Sequence, residues 1–261
     1  MHGIMNLGRI SVIAFNVFRE TLREQVLYLT LLFTLILVAA VNLLPQLSAS
    51  GEKKIIIDVG IAAIEIVGLI VAVFVGTTLV NKEIDKRTIF VLIAKPMSRA
   101  EFILGKHLGI TSVLALIVGI MTVIYVVVLS LAKISLPIYS ILVANFYIFG
   151  QLMLLGAIAI LFGTFSSSLL AAFLTFATYL MGNFSRDLLA LGEISKNESL
   201  QTVTRIIYLV LPDLSRANLK NEAVYGVLPP LTDLFSNGIY ILSYALLVLA
   251  IAILVFGKKQ F

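Results

Sequence analysis

The amino-acid sequence predicts an all-α, polytopic membrane protein with six transmembrane helices. Hydrophobic residues make up 60% of the 261 positions and charged residues only 13%, whereas about a quarter of the residues in a soluble domain are charged. The apolar residues are gathered into long runs that match a hydrocarbon core of about 30 Å. The predicted crossings are residues 26–44, 59–80, 108–131, 141–162, 169–184 and 238–256.

The chain begins with an amphipathic segment, residues 3–24. Its apolar residues recur at helical spacing and its charged residues lie away from that stripe, so we expect an interfacial helix along the membrane surface. The stripe consists of Ile10, Ile13, Ala14, Val17 and Phe18. The uncharged run 26–44 then forms the first crossing. This run is longer than the apolar core of a signal peptide, so no cleavage is expected.

The later elements follow from the same patterns. Three serines at 166–168 separate the fourth and fifth crossings, which predicts a tight helical hairpin. Residues 185–233 are mixed in charge and contain three prolines, but apolar residues recur at helical spacing from Leu200 to Val210. We therefore predict a loop with an interfacial helix. Segment 81–106, between the second and third crossings, is polar.

Basic residues predict the orientation of the chain. Eleven of the 19 lysines and arginines lie in the first 24 residues, in segment 81–106 and after residue 256, which all fall on one side of six crossings. Short cytoplasmic loops favour Lys and Arg, so both termini are predicted to be cytoplasmic and segment 185–233 extracytoplasmic. The basic residues form no dense run, so a nucleic-acid partner is not expected. The absence of cysteine excludes disulfides and thiolate metal sites.

Residues 83–109 carry the most informative pattern, EIDKRTIFVLIAKPMSRAEFILGKHLG. An acidic start is followed by an apolar set at helical spacing, and Pro96 then disfavours helical geometry at Lys95. The segment is therefore predicted to be helix, turn, helix. A short cytoplasmic helix between two crossings gives an external partner a handle with which to move both. The competing interpretation is that these charges only solvate a loop.

The order of residues in this segment resembles the permease subunits of type-2 ATP-binding-cassette (ABC-2) exporters. The matching positions are Glu83, Thr88, Leu92, Pro96, Ser98, Arg99, Gly105 and Lys106. The amphipathic start, the six crossings, the hairpin and a re-entrant or interfacial segment before the last crossing extend the resemblance over the whole chain. Among these families, the small six-helix permeases of nitrous-oxide-reductase maturation are the most similar in form.

The resemblance implies a permease that is not itself an enzyme and that lies in the cytoplasmic (inner) membrane. It implies two six-helix halves, most simply a homodimer, coupled to two ATPase subunits that hold ATP and Mg²⁺. The coupling helix, residues 83–93, would lie in a groove on each ATPase. The residues expected to couple to the ATPase are Glu83, Ile84, Lys86, Arg87, Thr88, Leu92, Pro96, Ser98 and Arg99.

The chain lacks a phosphate-binding loop of its own. Such a loop needs Gly, four residues and then Gly-Lys-Ser/Thr, because backbone amides and a lysine must surround the phosphates. At Gly105-Lys106 the leading glycine is replaced by Ala100 and the hydroxyl residue by His107; at Gly257-Lys258, Ala252 and Lys259 stand in those places. The energy source is therefore expected to be another polypeptide.

Glu65 is the one acid well inside a predicted crossing, where ionisable groups are expensive and often functional. It is a candidate for the substrate pathway, but snorkelling towards the surface near Asp58 and a protonated, hydrogen-bonded state are ordinary alternatives. The glycine pairs Gly68/Gly76 and Gly105/Gly109 are expected to permit close helix packing, with a dimer contact as the alternative. No metal-ligand spacing or catalytic motif is present.

Two other classes of function stay open at this point. One is an ATP-independent carrier or membrane enzyme that uses Glu65 and nearby polar groups. The other is a subunit that transmits force to a periplasmic partner through residues 185–233 without moving a small molecule. The charges of that segment are interpreted as mostly solvated. No pattern in the sequence specifies a substrate.

Overall fold

A computed structural model describes residues 6–22, 27–47, 52–85, 98–134, 137–195 and 197–258. Within these ranges the chain is almost entirely helical and contains no strand, which confirms the all-α prediction. The helices are α1 (Leu7–Thr21), α2 (Leu27–Leu47), α3 (Glu52–Asp85), α4 (Arg99–Leu131), α5 (Ile138–Phe165), α6 (Ser168–Asn183), α7 (Ser185–Ile194), α8 (Glu198–Val210), α9 (Lys220–Tyr225) and α10 (Leu231–Lys258), with a 3₁₀ turn at Leu214–Ala217.

The described helices make the protein polytopic. Helices α3, α4, α5 and α10 are each long and apolar enough to cross a membrane. Helices α6 and α7 meet the same criterion only together and are bent by 57° at the break between them, so they form a fifth crossing if the pair is one span. The apolar part of α2, Tyr28–Leu43, is shorter. The structure thus provides four or five candidate crossings, and the count of six stays a prediction.

Several helices run beyond the predicted crossings because hydropathy detects the apolar part of a helix and not its polar ends. Helix α3 extends through polar residues at both ends of the run 59–80, and α4 begins at Arg99, ahead of residue 108. The early start of α4 has a local cause: Ser98 and Glu101 form a capping box, which satisfies backbone N–H groups at the first turn. Spacing also correctly predicts a helix between Leu200 and Val210, where α8 lies.

The core of the bundle lies where α3 packs against α5. A β-carbon at Gly68 would fall 2.3 Å from the side chain of Leu152, and one at Gly76 would fall 2.7 Å from that of Ala159. Both distances are far inside van der Waals contact. The Leu152 methyl near Gly68 can shift, but the β-carbon of Ala159 near Gly76 cannot move without its backbone, so Gly76 is the stricter requirement. The prediction of close helix packing at Gly68 and Gly76 is confirmed, and the contact is made within one chain.

The N-terminal helix α1 packs along the first turns of α4. A β-carbon at Gly105 would meet Ile13 at 2.7 Å, and one at Gly109 would meet Val17 at 2.6 Å. Gly105 and Gly109 therefore also serve close packing inside the chain. The apolar stripe that predicts an interfacial helix includes these two partners and faces α4, while Phe15 on the other side of α1 is exposed. The interfacial position of α1 stays a prediction.

Two ends of the bundle can be distinguished by their contacts. At the first, which we call the Arg99 end, the start of α4 contacts the end of α10 through Arg99 and the backbone of Gly257. At the second, the Lys54 end, the ammonium of Lys54 lies 4.2 Å from the ring centre of Tyr225 in α9. If the orientation predicted from the basic residues holds, the Arg99 end is cytoplasmic.

Candidate functional site

Of the predicted coupling residues, the structure describes only positions 83, 84, 98 and 99. Helix α3 continues through positions 83 and 84 to Asp85, so the first two predicted coupling residues end a membrane-crossing helix. Lys86, Arg87, Thr88, Leu92 and Pro96 lie outside the described residues. A handle attached directly to α3 is therefore compatible with the structure, and the roles of these side chains stay predictions.

Ser98 caps the helix that follows the coupling segment. Its hydroxyl oxygen accepts a hydrogen bond from the backbone N–H of Glu101 at 3.1 Å, and the Glu101 carboxylate accepts one from the backbone N–H of Ser98 at 2.8 Å. The other carboxylate oxygen accepts a hydrogen bond from the backbone N–H of Asn6 at 2.7 Å. The guanidinium of Arg9 lies 3.9 Å from the oxygen that is bonded to Ser98. Glu101 therefore joins the start of α1 to the start of α4, a role that the sequence analysis missed.

Arg99 connects the same place to the last helix. Its guanidinium donates hydrogen bonds to the carbonyl oxygens of Phe256, at 3.2 Å, and Gly257. These carbonyls are among the last four of α10, which lack partners inside the helix and favour a nearby cation. The rings of Phe102 and Phe256 stack with centres 5.4 Å apart. The start of α4 is thus tied to both α1 and α10, and we call this cluster the α4 junction.

Glu65 lies in the interior of the bundle, where the residue is only 1% exposed. One carboxylate oxygen accepts hydrogen bonds from the Gln151 amide at 3.1 Å and from the Tyr179 hydroxyl at 2.9 Å. The other oxygen lies 2.5 Å from the ammonium of Lys220. Burial excludes snorkelling towards the exposed Asp58. We call these four residues the Glu65 cluster.

The Glu65 cluster brings together four helices that are distant in sequence. Glu65 lies on α3, Gln151 on α5, Tyr179 on α6 and Lys220 on α9. Taking a carboxylate and an ammonium out of water costs several kcal/mol per ion, and their attraction repays this only when the remaining lone pairs are also satisfied. Gln151 and Tyr179 supply those additional hydrogen bonds. The cluster therefore depends on the short helix α9 being in place.

Helix α9 reaches the interior from a segment that was predicted to be an extracytoplasmic loop with an interfacial helix. It packs against both α3 and α5. Gly226, with φ of +71°, ends the helix in the left-handed conformation that glycine favours, close to Pro137 at the start of α5. Part of segment 185–233 is thus inserted into the Lys54 end of the bundle, in keeping with a re-entrant segment before the last crossing.

Two side-chain amide oxygens on α5 are also buried. The Gln151 side-chain oxygen and the Asn145 side-chain oxygen have no hydrogen-bond partner among the described residues. Asn145 donates from its nitrogen to the hydroxyl of Thr122 at 3.0 Å. Buried polar atoms are rarely left without a partner, so such an oxygen points to a group that the bundle does not supply. Two amides in an otherwise apolar run were the sequence signal for this site.

A second buried carboxylate, Asp213, organises the Lys54 end outside the crossings. It is 3% exposed and accepts hydrogen bonds from Arg186 at 2.9 Å and Arg216 at 3.1 Å. The hydroxyl groups of Ser215, at 2.5 Å, and Ser185, at 3.3 Å, also donate to it. Burial raises the pKa of Asp213, but the hydrogen bonds from Ser215, Arg186 and Arg216 outweigh burial and bring the pKa below its ordinary value. We call these residues the Asp213 cluster.

The interpretation that the charges of segment 185–233 are mostly solvated is therefore wrong for Arg216 and Lys220, whereas Arg186 is paired but still exposed. Arg186 and Arg216 pair with Asp213, and Lys220 pairs with Glu65. The reason is that both acids are buried, and a buried charge requires a partner. Lys196 lies outside the described residues, while Arg205 is exposed.

The described residues offer no group of three His, Asp or Glu side chains that could hold a metal ion. His107 is buried, and its ring nitrogens lie 3.2 Å from the backbone oxygen of Met153 and 3.3 Å from the hydroxyl of Thr111. These contacts place His107 in the packing between α4 and α5. His2 lies outside the described residues.

Comparison with known proteins identifies the family. The family described as ABC-2 family transporter protein matches residues 12–261, which is nearly the whole chain. The chain belongs to the ABC-2 family of transporter proteins. No curated protein matches it. ABC-2 proteins are membrane components of transporters, generally not enzymes themselves, and the family implies an ATPase partner. The closer resemblance to nitrous-oxide-reductase maturation permeases stays a prediction.

Proposed function

We propose that this ABC-2 protein is the permease subunit of an exporter driven by ATP. Separate nucleotide-binding subunits hold ATP and Mg²⁺, and two copies of the permease form the membrane part. The complex lies in the cytoplasmic (inner) membrane with both termini of the permease in the cytoplasm. ATP binding and hydrolysis move the coupling segment, and the bundle alternates between inward-open and outward-open states.

The observation that carries this proposal is the α4 junction. A partner that pulls on the coupling segment acts on the end of α3 and on the start of α4. Because Glu101 ties α4 to α1, and Arg99 ties α4 to α10, the pull is shared by helices on both sides of the bundle. Such a junction converts a local movement into movement of several crossings, as coupling to an external ATPase requires.

Helix α3 supplies a direct connection between the coupling segment and the interior. It has 34 residues without a break, which corresponds to about 51 Å. Its last residues belong to the predicted coupling set, and Glu65 lies on the same helix near the middle of the apolar stretch Lys54–Asn81. A displacement of the Asp85 end is thus felt at the Glu65 cluster without an intermediate element.

The test is co-purification of the ATPase subunit with a charge-reversed permease. Glu83→Lys combined with Arg87→Glu reverses two charges in the predicted coupling helix. We expect this variant to lose the ATPase subunit on affinity purification from membranes. Glu198→Lys combined with Arg205→Glu is the matched control, because it reverses two exposed charges of α8, a helix of the Lys54 end. The control is expected to retain the partner.

Retention of the ATPase by the coupling variant would contradict the proposed contact. A second measurement separates the classes of function that the sequence leaves open. Transport into vesicles that persists without nucleotide would favour an ATP-independent carrier. ATP hydrolysis without transport of any compound would favour a subunit that transmits force to an extracytoplasmic partner. The proposed exporter requires both nucleotide and transport.

A further inference from the structure

We infer that Glu65, Gln151 and Tyr179 form a binding site for the primary ammonium group of an amphiphilic amine, and that Lys220 is its tethered occupant in this structure. This inference rests on the proposed function, because it names the chemical class of substrate that the permease would move. The groups concerned are a carboxylate, an amide and a phenol on three different helices, α3, α5 and α6.

The hydrogen-bonding groups of the site match an ammonium ion. An ammonium has three N–H donors and no acceptor. Glu65 offers one carboxylate oxygen to the Lys220 ammonium at 2.5 Å, while its other oxygen is held by Gln151 and Tyr179. The Gln151 oxygen is buried and has no partner among the described residues, which leaves an acceptor free beside a negative charge. The tethered lysine therefore does not use all that the site provides.

Charge decides between an amine and other cations. Among the described contacts Glu65 is the only carboxylate of the cluster, and a single carboxylate neutralises one positive charge. Divalent cations prefer several oxygen ligands with more than one carboxylate, and no described group of three such residues exists. A quaternary ammonium has no N–H to donate, and one tyrosine does not make an aromatic cage. A primary ammonium is the species that the site already holds.

The surroundings of the cluster favour an apolar body on the amine. One turn from Glu65 and Gln151, on the same helix faces, lie Ile61 and Leu155, and Leu152 packs on Gly68, one turn further along α3; all three apolar side chains belong to residues that are 0% exposed. Charged or strongly polar parts of a ligand would lose their hydration there without compensation. An alkylamine meets both requirements, because its primary ammonium is joined directly to an aliphatic chain. The headgroup of an aminophospholipid shares the primary ammonium but carries a phosphate two carbons away, so it is the less favoured source.

The position of Lys220 explains how such a ligand would couple to opening. Its side chain is 23% exposed, against 2% for Glu65, so the cluster is accessible from the lysine side. Lys220 is carried by α9, a helix of only six residues. Withdrawal of α9 removes the ammonium and leaves Glu65 buried without a counter-charge. A substrate ammonium that takes its place removes this penalty and so favours the state in which α9 has moved.

The test is chemical rescue in the purified full-length permease. Lys220→Ala deletes the tethered ammonium and leaves room for a small amine, so its thermal midpoint is expected to fall. Butylamine, whose cation reproduces the end of the lysine side chain, should raise that midpoint by about 3 °C at roughly tenfold excess over its Kd. Butan-1-ol has the same chain without the charge and should give no rescue. Lys220→Ala combined with Glu65→Gln should not respond to butylamine.

Equal effects of butylamine and butan-1-ol, or no effect of either, would overturn the inference. If Lys220→Ala does not fold, the test uses the wild-type complex with its ATPase subunit. Dodecylamine should then stimulate ATP hydrolysis at least twofold more than dodecan-1-ol does. Glu65→Gln should abolish this difference. Rescue in nanodiscs of phosphatidylethanolamine, but not of phosphatidylcholine, would identify a lipid headgroup as the source of the ammonium. Rescue by butylamine alone would identify a soluble amine.

These outcomes separate the inference from the proposed function. Amine rescue is measured on the permease alone and needs no ATPase. Failure of the ATPase to associate would therefore contradict the proposed function while leaving the amine site intact. Normal association and hydrolysis with no selectivity for amines would overturn the amine site alone.

Discussion

The Glu65 and Asp213 clusters are two solutions to the same problem, a buried carboxylate held by basic residues of segment 185–233. Asp213 has two arginines and two hydroxyl donors, and its partners lie close to it in the chain or at the start of α7. In the part of the chain that the structure describes, Glu65 has a single cation, brought by a six-residue helix from a distant part of the sequence. The difference suggests that the Asp213 cluster is built to stay closed and the Glu65 cluster to exchange its cation.

The largest effect is expected from removing the single cation of the Glu65 cluster. Lys220→Met keeps an apolar stem of similar length but leaves the carboxylate unpaired, which typically costs about 3–5 kcal/mol when a buried pair is broken. Unfolding in detergent should show this loss. The double variant Lys220→Met, Glu65→Gln removes the charge as well and should recover most of the stability. An equally unstable double variant would show that packing, and not charge, dominates.

A smaller effect is expected from one hydrogen bond of the same cluster. Tyr179→Phe removes the hydroxyl that donates to Glu65 at 2.9 Å and changes little else. A hydrogen bond to a charged group contributes about 1.5–3 kcal/mol. The free energy of unfolding should fall by an amount in this range. Tyr139→Phe serves as the control, because Tyr139 is 67% exposed, and it should leave stability unchanged.

Redundancy should make the Asp213 cluster tolerant of single losses. Arg186→Ala is expected to cost about 1 kcal/mol or less, because its side chain is 54% exposed and solvent screens exposed ion pairs. Arg216→Ala alone should behave similarly, since Arg186 remains. The double variant should cost more than the sum of the two, because Asp213 then loses both cations. A double-mutant cycle of unfolding free energies that shows simple additivity would contradict this redundancy.

The smallest effect is a dependence of stability on acidic pH. Because the pKa of Asp213 in the folded protein lies below its ordinary value, the cluster stabilises the fold above the unfolded pKa of about 3.9. That contribution is lost as the pH falls through the lower, folded pKa. Thermal midpoints of wild type and Asp213→Asn should differ at pH 6, and the difference should shrink as the pH falls from about 4 through the lower, folded pKa. A constant difference over this range would show that Asp213 does not titrate as described.

The sequence predicts the fold class well because apolar runs report directly on membrane crossings. It also locates α8 from helical spacing and the packing role of Gly68, Gly76, Gly105 and Gly109. The extents of α3 and α4 are underestimated because their polar ends carry no hydropathy signal. The capping box at Ser98 and Glu101 was available in the sequence and marks the true start of α4.

The interior site was only half predictable. Glu65 stands out as an acid in an apolar run, but its cation lies far along the chain, on a helix whose insertion no local pattern reveals. A lysine among polar residues, in a segment that contains three prolines, resembles any lysine of a solvated loop. The same limit explains why Arg186 and Arg216 were interpreted as solvated: their burial partner, Asp213, is identified only by the tertiary fold.

The unbroken course of α3 has one further consequence for the proposed transporter. The part of the helix that a motor protein would grip and the part that carries the acid cannot change position independently, because no hinge separates them. The timing of ATP hydrolysis relative to substrate release is thus set by one rigid helix. Val71→Pro would bend the helix between its coupling end and Glu65. The resulting complex should hydrolyse ATP without transporting substrate.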